Sequence, residues 1–399
     1  MLTFFSLILF GLTSVTPAYA HGGFGSDLIK VKATNKFERS RISNLGFAIE
    51  EVHSDHVVVS GNQKDIDVLR GLNLFMGVEH TSFSFLSFPS EDSRYHDHLE
   101  ILDALDSLQE QFPNLVKVSV MGLSVEGRII PVATLTVDPE SHAEKPGIVF
   151  LGAHHAREHI SAEVPLRHLM RFCEQYEAGD EEVVRLLSTR SLYFAPLINP
   201  DGKAYDLKEG RYKSWRKNRR LFGSNYGVDL NRNYSFMWGT GGSSDNPRSD
   251  VFMGLEPFSE PEIQAVKTFV ENSPNLTSLL SYHSYGKLIL YPWGHTYDSV
   301  GNEKDFAIFT TMAEKMALWN DYQPTQGSDL YVVSGNTIDW SYGEHGLISF
   351  TFELDPRGFR RGGFYPGDEI IDEVVEKNWR PVLFMTEYAD RPERVLDED

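Results

Sequence analysis

The sequence is almost without cysteine. Cys173 is the single cysteine among 399 residues, so an intramolecular disulfide and a cysteine-rich zinc module are both excluded. Cys173 shares a helical face with Leu166, Leu169 and Met170. That placement predicts a buried thiol that acts as a small apolar side chain.

Basic charge is scarce too. The 37 Lys and Arg residues are outnumbered by 57 Asp and Glu residues, which gives a net charge of -20 at pH 7. A surface that binds duplex nucleic acid needs a concentrated positive field, so we expect no nucleic acid partner. The same acidity predicts good solubility and poor tolerance of anionic substrates.

Long hydrophobic runs are missing outside the N-terminus. No later stretch approaches about 18 uncharged apolar residues, so we expect no permanent membrane anchor. Residues 1–12 are mostly apolar, and Pro17-Ala-Tyr-Ala20 ends in an A-x-A pattern. This combination predicts a secretory signal peptide over residues 1–20 and a secreted protein, extracellular or periplasmic.

Residues 27 to about 80 predict a small α+β unit. Alternating and helical hydrophobic patterns place four strands and two helices in the order β-α-β-β-α-β, with strands at 28–32, 47–52, 56–60 and 74–78 and helices at 38–45 and 63–70. This order is ferredoxin-like. Serine-rich residues 81–94 follow and predict a linker, in which Arg94 is the only basic residue.

Residues 95–399 predict one large α/β domain. Leucines from Leu99 to Leu108 recur at spacings of three, which predicts a helix that Pro113 stops. Residues 148–152 form a short, wholly apolar strand of the kind that is buried in a parallel sheet. Strands and helices then alternate to the end of the chain. Within this region, residues 197–202 predict a strand that runs into a tight turn.

The segment after the apolar strand, Gly152-Ala-His-His-Ala-Arg-Glu-His159, holds candidate metal ligands. His155 and Glu158 are three residues apart, so one helical turn would direct both at the same point, and their side chains suit zinc. A second interpretation reads His155 to His159 as H-x-x-E-H, with both histidines binding zinc and Glu158 as the base. That pattern requires a long helix, whereas this segment follows a buried strand, where open α/β sheets bind ligands.

Polar residues also recur in apolar or glycine-rich surroundings at 197–202, 215–219, 227–233, 279–286 and 347–354. In the last of these segments the residue types alternate, so that Ser349, Thr351 and Glu353 share one face of a strand. A lone glutamate on a strand is often solvated. The neighbours of Glu353 instead favour a lined site.

Taken together, these segments resemble the zinc carboxypeptidases of the carboxypeptidase A/B family over residues 95–399. The motifs that carry the resemblance are His155-x-x-Glu158 with His283 125 residues later, Asn-Pro-Asp-Gly, Trp-Arg-Lys-x-Arg, Asp-x-Asn-Arg-Asn, His-Ser-Tyr and Phe-Thr-Phe-Glu. The resemblance implies a large mixed twisted sheet flanked by helices. It also implies a ferredoxin-like activation domain over residues 21–94 and a zymogen that a trypsin-like protease cuts near Arg94.

The resemblance further implies roles for single residues. His155, Glu158 and His283 would hold one zinc ion per chain, Glu353 would be the general base, and Arg216 would stabilise the oxyanion. The residues implied to bind the peptide substrate are Arg157, Asn231, Arg232, Ser284, Tyr285, Tyr331, Ile338 and Thr351. An apolar residue at the pocket floor, here Ile338, implies release of apolar and aromatic C-terminal residues. Lys213 replaces an arginine that many relatives carry, and Arg211 is a candidate substitute.

Two other functions stay open at this point. One is a non-catalytic peptide-binding protein on the same fold, although such a protein needs neither Glu353 nor Arg216. The other is a zinc amidohydrolase that acts on small acyl-amino acids. The presence of Arg232 and Tyr331 favours peptides as substrates over such small molecules.

Overall fold

The computed structural model describes residues 27–61, 63–79, 92–208 and 212–397. The predicted signal peptide, most of the predicted linker and Arg211 lie outside these ranges. Within them the chain forms a four-stranded sheet, an eight-stranded sheet and a two-stranded ribbon.

The N-terminal unit, residues 27–79, is built around the four-stranded antiparallel sheet. Its elements are β1 (Asp27–Lys32), α1 (Lys36–Asn44), β2 (Ile49–Val52), β3 (His56–Gly61), α2 (Gln63–Gly71) and β4 (Phe75–Glu79). The strand order is β2-β3-β1-β4. The predicted order of elements is therefore confirmed, with ends shifted by one or two residues. Helix α1 begins after Asn35, whose side chain accepts hydrogen bonds from the backbone N–H groups of Phe37 and Glu38.

The large domain contains the remaining elements: α3 (His98–Gln111), β5 (Val116–Leu123), β6 (Ile129–Leu135), β7 (Gly147–Leu151), α4 (His159–Glu177), α5 (Glu181–Thr189), β8 (Ser191–Ala195), α6 (Pro200–Asp206), β9 (Leu221–Phe222), β10 (Asn225–Tyr226), α7 (Pro261–Glu271), β11 (Leu276–Ser284), β12 (Leu288–Tyr291), α8 (Glu303–Asn320), β13 (Gln323–Gln326), α9 (Gly327–Leu330), α10 (Thr337–His345), β14 (Ile348–Leu354) and α11 (Ile371–Tyr388). The eight-stranded sheet has the order β13-β12-β14-β11-β7-β8-β6-β5. Its central strands are parallel, whereas β12 is antiparallel to β14 and β6 is antiparallel to β8. The predicted large mixed sheet flanked by helices is confirmed.

Apolar clusters cover both faces of this sheet. Helices α3, α4, α5, α8 and α11 contribute to one cluster, and α7 and α10 contribute to the other. Cys173 lies in the first cluster, fully buried, and burial raises the pKa of its thiol to about 12. The thiol is therefore protonated at neutral pH, which confirms its prediction as an inert core residue.

The prediction for residues 197–202 is wrong. Strand β8 ends at Ala195, and the segment from Pro200 forms helix α6 instead of a tight turn. The reason is local: the side chain of Asn199 accepts a hydrogen bond from the N–H of Gly202 at 2.9 Å, so it caps a helix. Pro200 occupies the first helical position, where its missing N–H costs nothing.

Three neighbouring strands of the large sheet run parallel and end at the same edge. They are β7, β11 and β14, and β11 lies between the other two. The candidate ligands His155 and His283 and the candidate base Glu353 therefore come from adjacent carboxyl ends, where open α/β sheets bind ligands. In the described ranges no helix is both long and apolar enough to cross a membrane.

Candidate active site

Strand pairing brings His283 and Glu353 together. The two residues are direct partners in the register of β11 and β14, so their side chains project from the same face of the sheet. His155 and Glu158 belong to the loop between β7 and α4, which begins at Leu151 on the other side of β11. Residues that are up to about two hundred positions apart in the sequence thus lie at the ends of neighbouring strands.

The metal ligands predicted from the sequence form one buried cluster. Nδ1 of His155 lies 2.7 Å from Oε1 of Glu158, and Nδ1 of His283 lies 3.0 Å from Oε2 of the same carboxylate. The two Nδ1 atoms are 3.1 Å apart, and the donor atoms of all three residues lie within 4.8 Å of one another. Two imidazole nitrogens and a carboxylate that point at one place are the donor set of catalytic zinc sites.

The charges of the cluster favour a cation. Burial alone would raise the pKa of Glu158, but the adjacent imidazoles of His155 and His283 outweigh it and hold the pKa of that carboxyl well below its usual range. Burial lowers the pKa of the His283 imidazole. An ionised carboxylate beside a neutral imidazole is the protonation state in which these groups bind a metal.

Asp229 supports the cluster from behind, a role that the sequence analysis did not assign. Its Oδ1 lies 3.1 Å from Nε2 of His155, which places the proton of that imidazole on Nε2 and leaves Nδ1 free to bind a metal. Its Oδ2 accepts a hydrogen bond from Nε of Arg216 at 2.9 Å. Asp229 is the first residue of the Asp-x-Asn-Arg-Asn motif, so its position in that motif was the available signal.

The H-x-x-E-H interpretation is wrong. Helix α4 starts only at His159, so His155 and His159 do not share a helical face. Nε2 of His159 lies 3.1 Å from a carboxylate oxygen of Asp206, and its Nδ1 lies 3.1 Å from Nζ of Lys203. His159 is therefore held in a separate buried network away from the triad.

Arg216 and Glu353 lie in the same cavity as the triad, a space of about 960 Å³. Burial would lower the pKa of Arg216, but the carboxylates of Asp229 and Glu158 outweigh it, so this guanidinium stays charged. Burial, together with the nearby charge of Glu158, raises the pKa of Glu353 well above its usual range. The site thus combines a fixed cation with a carboxyl group that holds protons unusually well.

Asn231 and Arg232 lie side by side on the cavity wall. Arg232 donates from Nε to the carbonyl of Gly242 at 3.0 Å and from Nη1 to the carbonyl of Asn231 at 2.7 Å. Gly242 has a φ of +65°, and a Cβ there would approach the Val332 carbonyl oxygen to 1.9 Å, so only glycine fits. Oδ1 of Asn231 accepts bonds from the N–H and the hydroxyl of Thr337, both at 2.9 Å.

The structure also places the remaining predicted pocket residues on this cavity: Ser284, Tyr285, Tyr331, Ile338 and Thr351. Ile338 is buried near the start of α10, and the backbone N–H of Ser284 donates to Oε2 of Glu158 at 3.1 Å. Lys213 is not among the lining residues; its ammonium donates to the carbonyl of Lys208. The cation of Lys213 therefore lies outside this cavity.

The N-terminal unit reaches into the cavity through Glu50 and Glu51 of β2. Both carboxylate oxygens of Glu50 accept hydrogen bonds from Nη2 of Arg157, at 2.9 and 2.8 Å. The side chains of Arg157 and Glu50 are only 1% and 2% exposed. Oε1 of Glu51 accepts a hydrogen bond from the hydroxyl of Tyr285 at 3.4 Å. Arg157 and Tyr285, which were both predicted to bind substrate, are thus hydrogen-bonded to carboxylates of the N-terminal unit.

Comparison with known proteins agrees with this geometry. The sequence model of the zinc carboxypeptidases matches residues 101–381. A zinc carboxypeptidase of Saccharothrix mutabilis subsp. capreolus is 32% identical over 317 residues, 77% of this chain and 73% of that protein. Carboxypeptidase B of Astacus astacus is 36% identical over 286 residues, 69% of this chain and 91% of that protein.

A solved structure shows the same fold over nearly the whole chain. The crystal structure of carboxypeptidase A from Helicoverpa armigera superposes with a TM-score of 0.76 over 94% of this chain and 99% of that one, at 21% identity. The buried triad, the matched sequence model and these relatives lead to one conclusion. The chain belongs to the zinc carboxypeptidase family and is a zinc-dependent metallocarboxypeptidase.

Proposed function

We propose that this metallocarboxypeptidase is a secreted enzyme that removes single residues from the C-termini of peptides and proteins, prefers apolar and aromatic side chains, and is made as a zymogen. One observation carries the proposal: the triad His155, Glu158 and His283 shares one cavity with Glu353 and Arg216. A metal site beside a base and a fixed cation is what hydrolysis of a peptide bond requires.

In the proposed reaction the residues of the triad would hold zinc, which would act as a Lewis acid and lower the pKa of water. The carboxylate of Glu353 takes a proton from the attacking water and passes it to the leaving amine. Arg216, held by Asp229, stabilises the oxyanion that develops at the scissile carbonyl.

The terminal carboxylate of the substrate binds to Arg232 and Asn231. Two nitrogens of the Arg232 guanidinium donate to backbone carbonyls, and Nη2 has no partner in the part of the chain that the structure describes. A planar cation fixed in this way suits a planar carboxylate. Tyr331, which is half-buried on the same cavity, covers the bound C-terminal residue. Recognition of a free carboxylate makes the enzyme an exopeptidase.

The preference for apolar side chains is supported by the surroundings of Ile338. The nearest carboxylate along the chain is Asp339, and both of its oxygens are already bound: Oδ1 by the N–H of Gly294 at 2.8 Å and Oδ2 by the N–H of His295 at 2.9 Å. A guanidinium against Ile338 would find no free oxygen on Asp339, and a poorly compensated buried charge costs several kcal/mol, whereas an aromatic ring would gain about 2 kcal/mol by burial. C-terminal Phe, Tyr and Leu should therefore be released in preference to Lys and Arg.

The zymogen is supported by the contact of Glu50 with Arg157, which brings the N-terminal unit to the wall of the substrate cleft. Cleavage near Arg94 would separate the two parts of the chain. Arg94 donates from its backbone N–H to Asp368 at 3.0 Å and from its side chain to Asp372. A trypsin-like protease has to withdraw this side chain from the Asp372 carboxylate and from the backbone carbonyl of Asp368 before it can cut there. Secretion is supported by the predicted signal peptide, residues 1–20.

The decisive experiment compares peptides with free and amidated C-termini, with and without a chelator. The proposal expects release of Phe from the free peptide only, loss of release with the chelator, and a higher kcat/KM for Phe than for Arg at the C-terminus. Release from amidated peptides, or from small acyl-amino acids alone, would favour an amidohydrolase. Binding without release would favour a non-catalytic peptide-binding protein.

A further inference from the structure

The loop after β14 concentrates positive charge in an otherwise acidic chain. Arg357, Arg360 and Arg361 occupy three of five consecutive positions, whereas the whole chain has a net charge of -20. All three side chains are exposed, and all three line the cavity that contains the zinc triad. We call residues 357–361 the basic turn. The local charge of this turn is thus opposite in sign to the net charge of the chain.

The N-terminal unit places a carboxylate against the backbone of the basic turn. Glu51 contacts it directly, because Oε1 of Glu51 accepts a hydrogen bond from the backbone N–H of Phe359. The preceding residue, Glu50, forms the buried ion pair with Arg157. Two consecutive carboxylates of the chain therefore lie in the cleft, one on Arg157 and one on the basic turn.

The position of the turn relates it to the upstream part of a substrate. The pocket for the C-terminal residue is formed by Ile338, Thr351 and Arg232. The basic turn instead lies close to Tyr285, because the same Glu51 oxygen accepts hydrogen bonds from both. Tyr285 follows β11, at the edge of the cleft where the N-terminal unit enters. A peptide whose C-terminus occupies the pocket would extend toward this edge.

We propose that, once the N-terminal unit has left the cleft, the basic turn selects peptides that carry Glu or Asp upstream of the released residue. The inference rests on the proposed function and adds a second determinant to its specificity. Guanidinium groups pair well with carboxylates, and the backbone N–H of Phe359 supplies a further donor for one of them. This preference is the opposite of the poor tolerance of anionic substrates that the net charge predicts.

The test uses the full chain, folded and loaded with zinc, with a site-specific protease sequence placed within residues 81–91. Cleavage after folding opens the cleft, and it avoids trypsin, which could cut the exposed arginines of the basic turn. Peptides ending in Phe are compared in pairs that differ only by Glu or Gln at one of the four preceding positions. Release is measured as kcat/KM, and binding of the same peptides is measured by calorimetry.

We expect Glu at one or two of these positions to raise kcat/KM roughly five- to tenfold, and to raise affinity likewise, with the advantage falling as salt is increased. The double variant Arg357→Gln/Arg361→Gln should bring the Glu-to-Gln ratio close to one. The Arg357→Lys/Arg361→Lys variant should keep most of the preference. The control Arg380→Gln removes an exposed arginine of α11 that pairs with Glu182 of α5, away from the cavity, and should leave the ratio unchanged.

The two proposals fail separately. Release of Phe with no preference for Glu at any of the four positions would overturn the basic turn and leave the exopeptidase intact. The role of the basic turn is likewise overturned if the preference survives in the double Gln variant, or if Arg380→Gln abolishes it. Binding that favours Glu without release of any residue would overturn the exopeptidase and keep the role of the basic turn.

Discussion

The contact between Glu50 and Arg157 predicts how firmly the N-terminal unit covers the cleft. Replacing Glu50 by Gln removes the charge but keeps the shape of the side chain. In the closed form Arg157 would then be a buried cation that has lost its bidentate carboxylate and keeps the longer ion pair with Asp250, 3.9 Å from its Nη1, and the contact with the Ser214 carbonyl at 3.5 Å. The variant should therefore favour the form in which the N-terminal unit has left the cleft.

The size of the effect follows from burial. Removing one partner of a buried ion pair costs about 3 to 5 kcal/mol, and both side chains here are almost fully buried, so little of this is lost to solvent screening. Each 1.4 kcal/mol changes an equilibrium tenfold, so the ratio of open to closed chains should rise by about a hundredfold or more. The activity of the uncut chain should rise by the same factor until it reaches that of the cut enzyme.

The assay measures release of Phe by the uncut chain in the presence of serine protease inhibitors and expresses it as a fraction of the activity after cleavage. The matched control is Lys36→Gln, which breaks the ion pair with Asp329 at the same interface. That pair is 31% and 49% exposed, so the loss should change activity by less than about fivefold. A Glu50→Gln chain as inactive as the parent, or an uncut parent as active as the cut enzyme, would refute the reasoning.

Other changes test the metal, the pocket and the core. A chelator should abolish release and lower the melting temperature, and full activity after chelation would contradict the metal assignment. The His283→Gln variant should hold well under one zinc per chain by elemental analysis. Ile338→Asp should raise kcat/KM for C-terminal Arg and lower it for Phe, whereas an unchanged ratio would place the pocket floor elsewhere. Burial lowers the pKa of His168 to about 4, so its contribution to stability is present above pH 6.5 and is lost as the pH falls toward 4. That loss amounts to about 3 kcal/mol in the free energy of unfolding. His168→Phe should flatten the fall in melting temperature over this pH range, and an unchanged slope would assign the acid sensitivity to other groups.

The elements of the fold could be predicted because their signals are local. Period-two and helical patterns located the strands and helices of residues 27–79 to within one or two positions. The error at residues 197–202 has the same local origin. Asn-Pro-Asp-Gly fits both a turn and a capped first helical turn, and only the bond from Gly202 to the Asn199 side chain distinguishes them.

The metal ligands could be predicted in part. The motif around His155 allowed either His159 or His283 as the second histidine ligand. The choice depended on where α4 begins and which strand lies beside β7. Asp229 was visible in its motif, but its bond to His155 depends on the folded loop. The motifs thus indicate the chemistry of a site, whereas the pairing of strands determines which motifs lie close together.

By itself the sequence determined the local elements, the residue types of the zinc site and the net charge of -20. The tertiary structure alone decided that Glu50 meets Arg157, 107 residues away, and that three arginines stand at the mouth of the cleft. The physical reason is that Glu50 is one of 57 acidic residues and nothing in its sequence neighbourhood distinguishes it. Net charge is a sum over the whole chain, whereas the field that a substrate meets depends on the few charges within about 10 Å, and only folding brings those together.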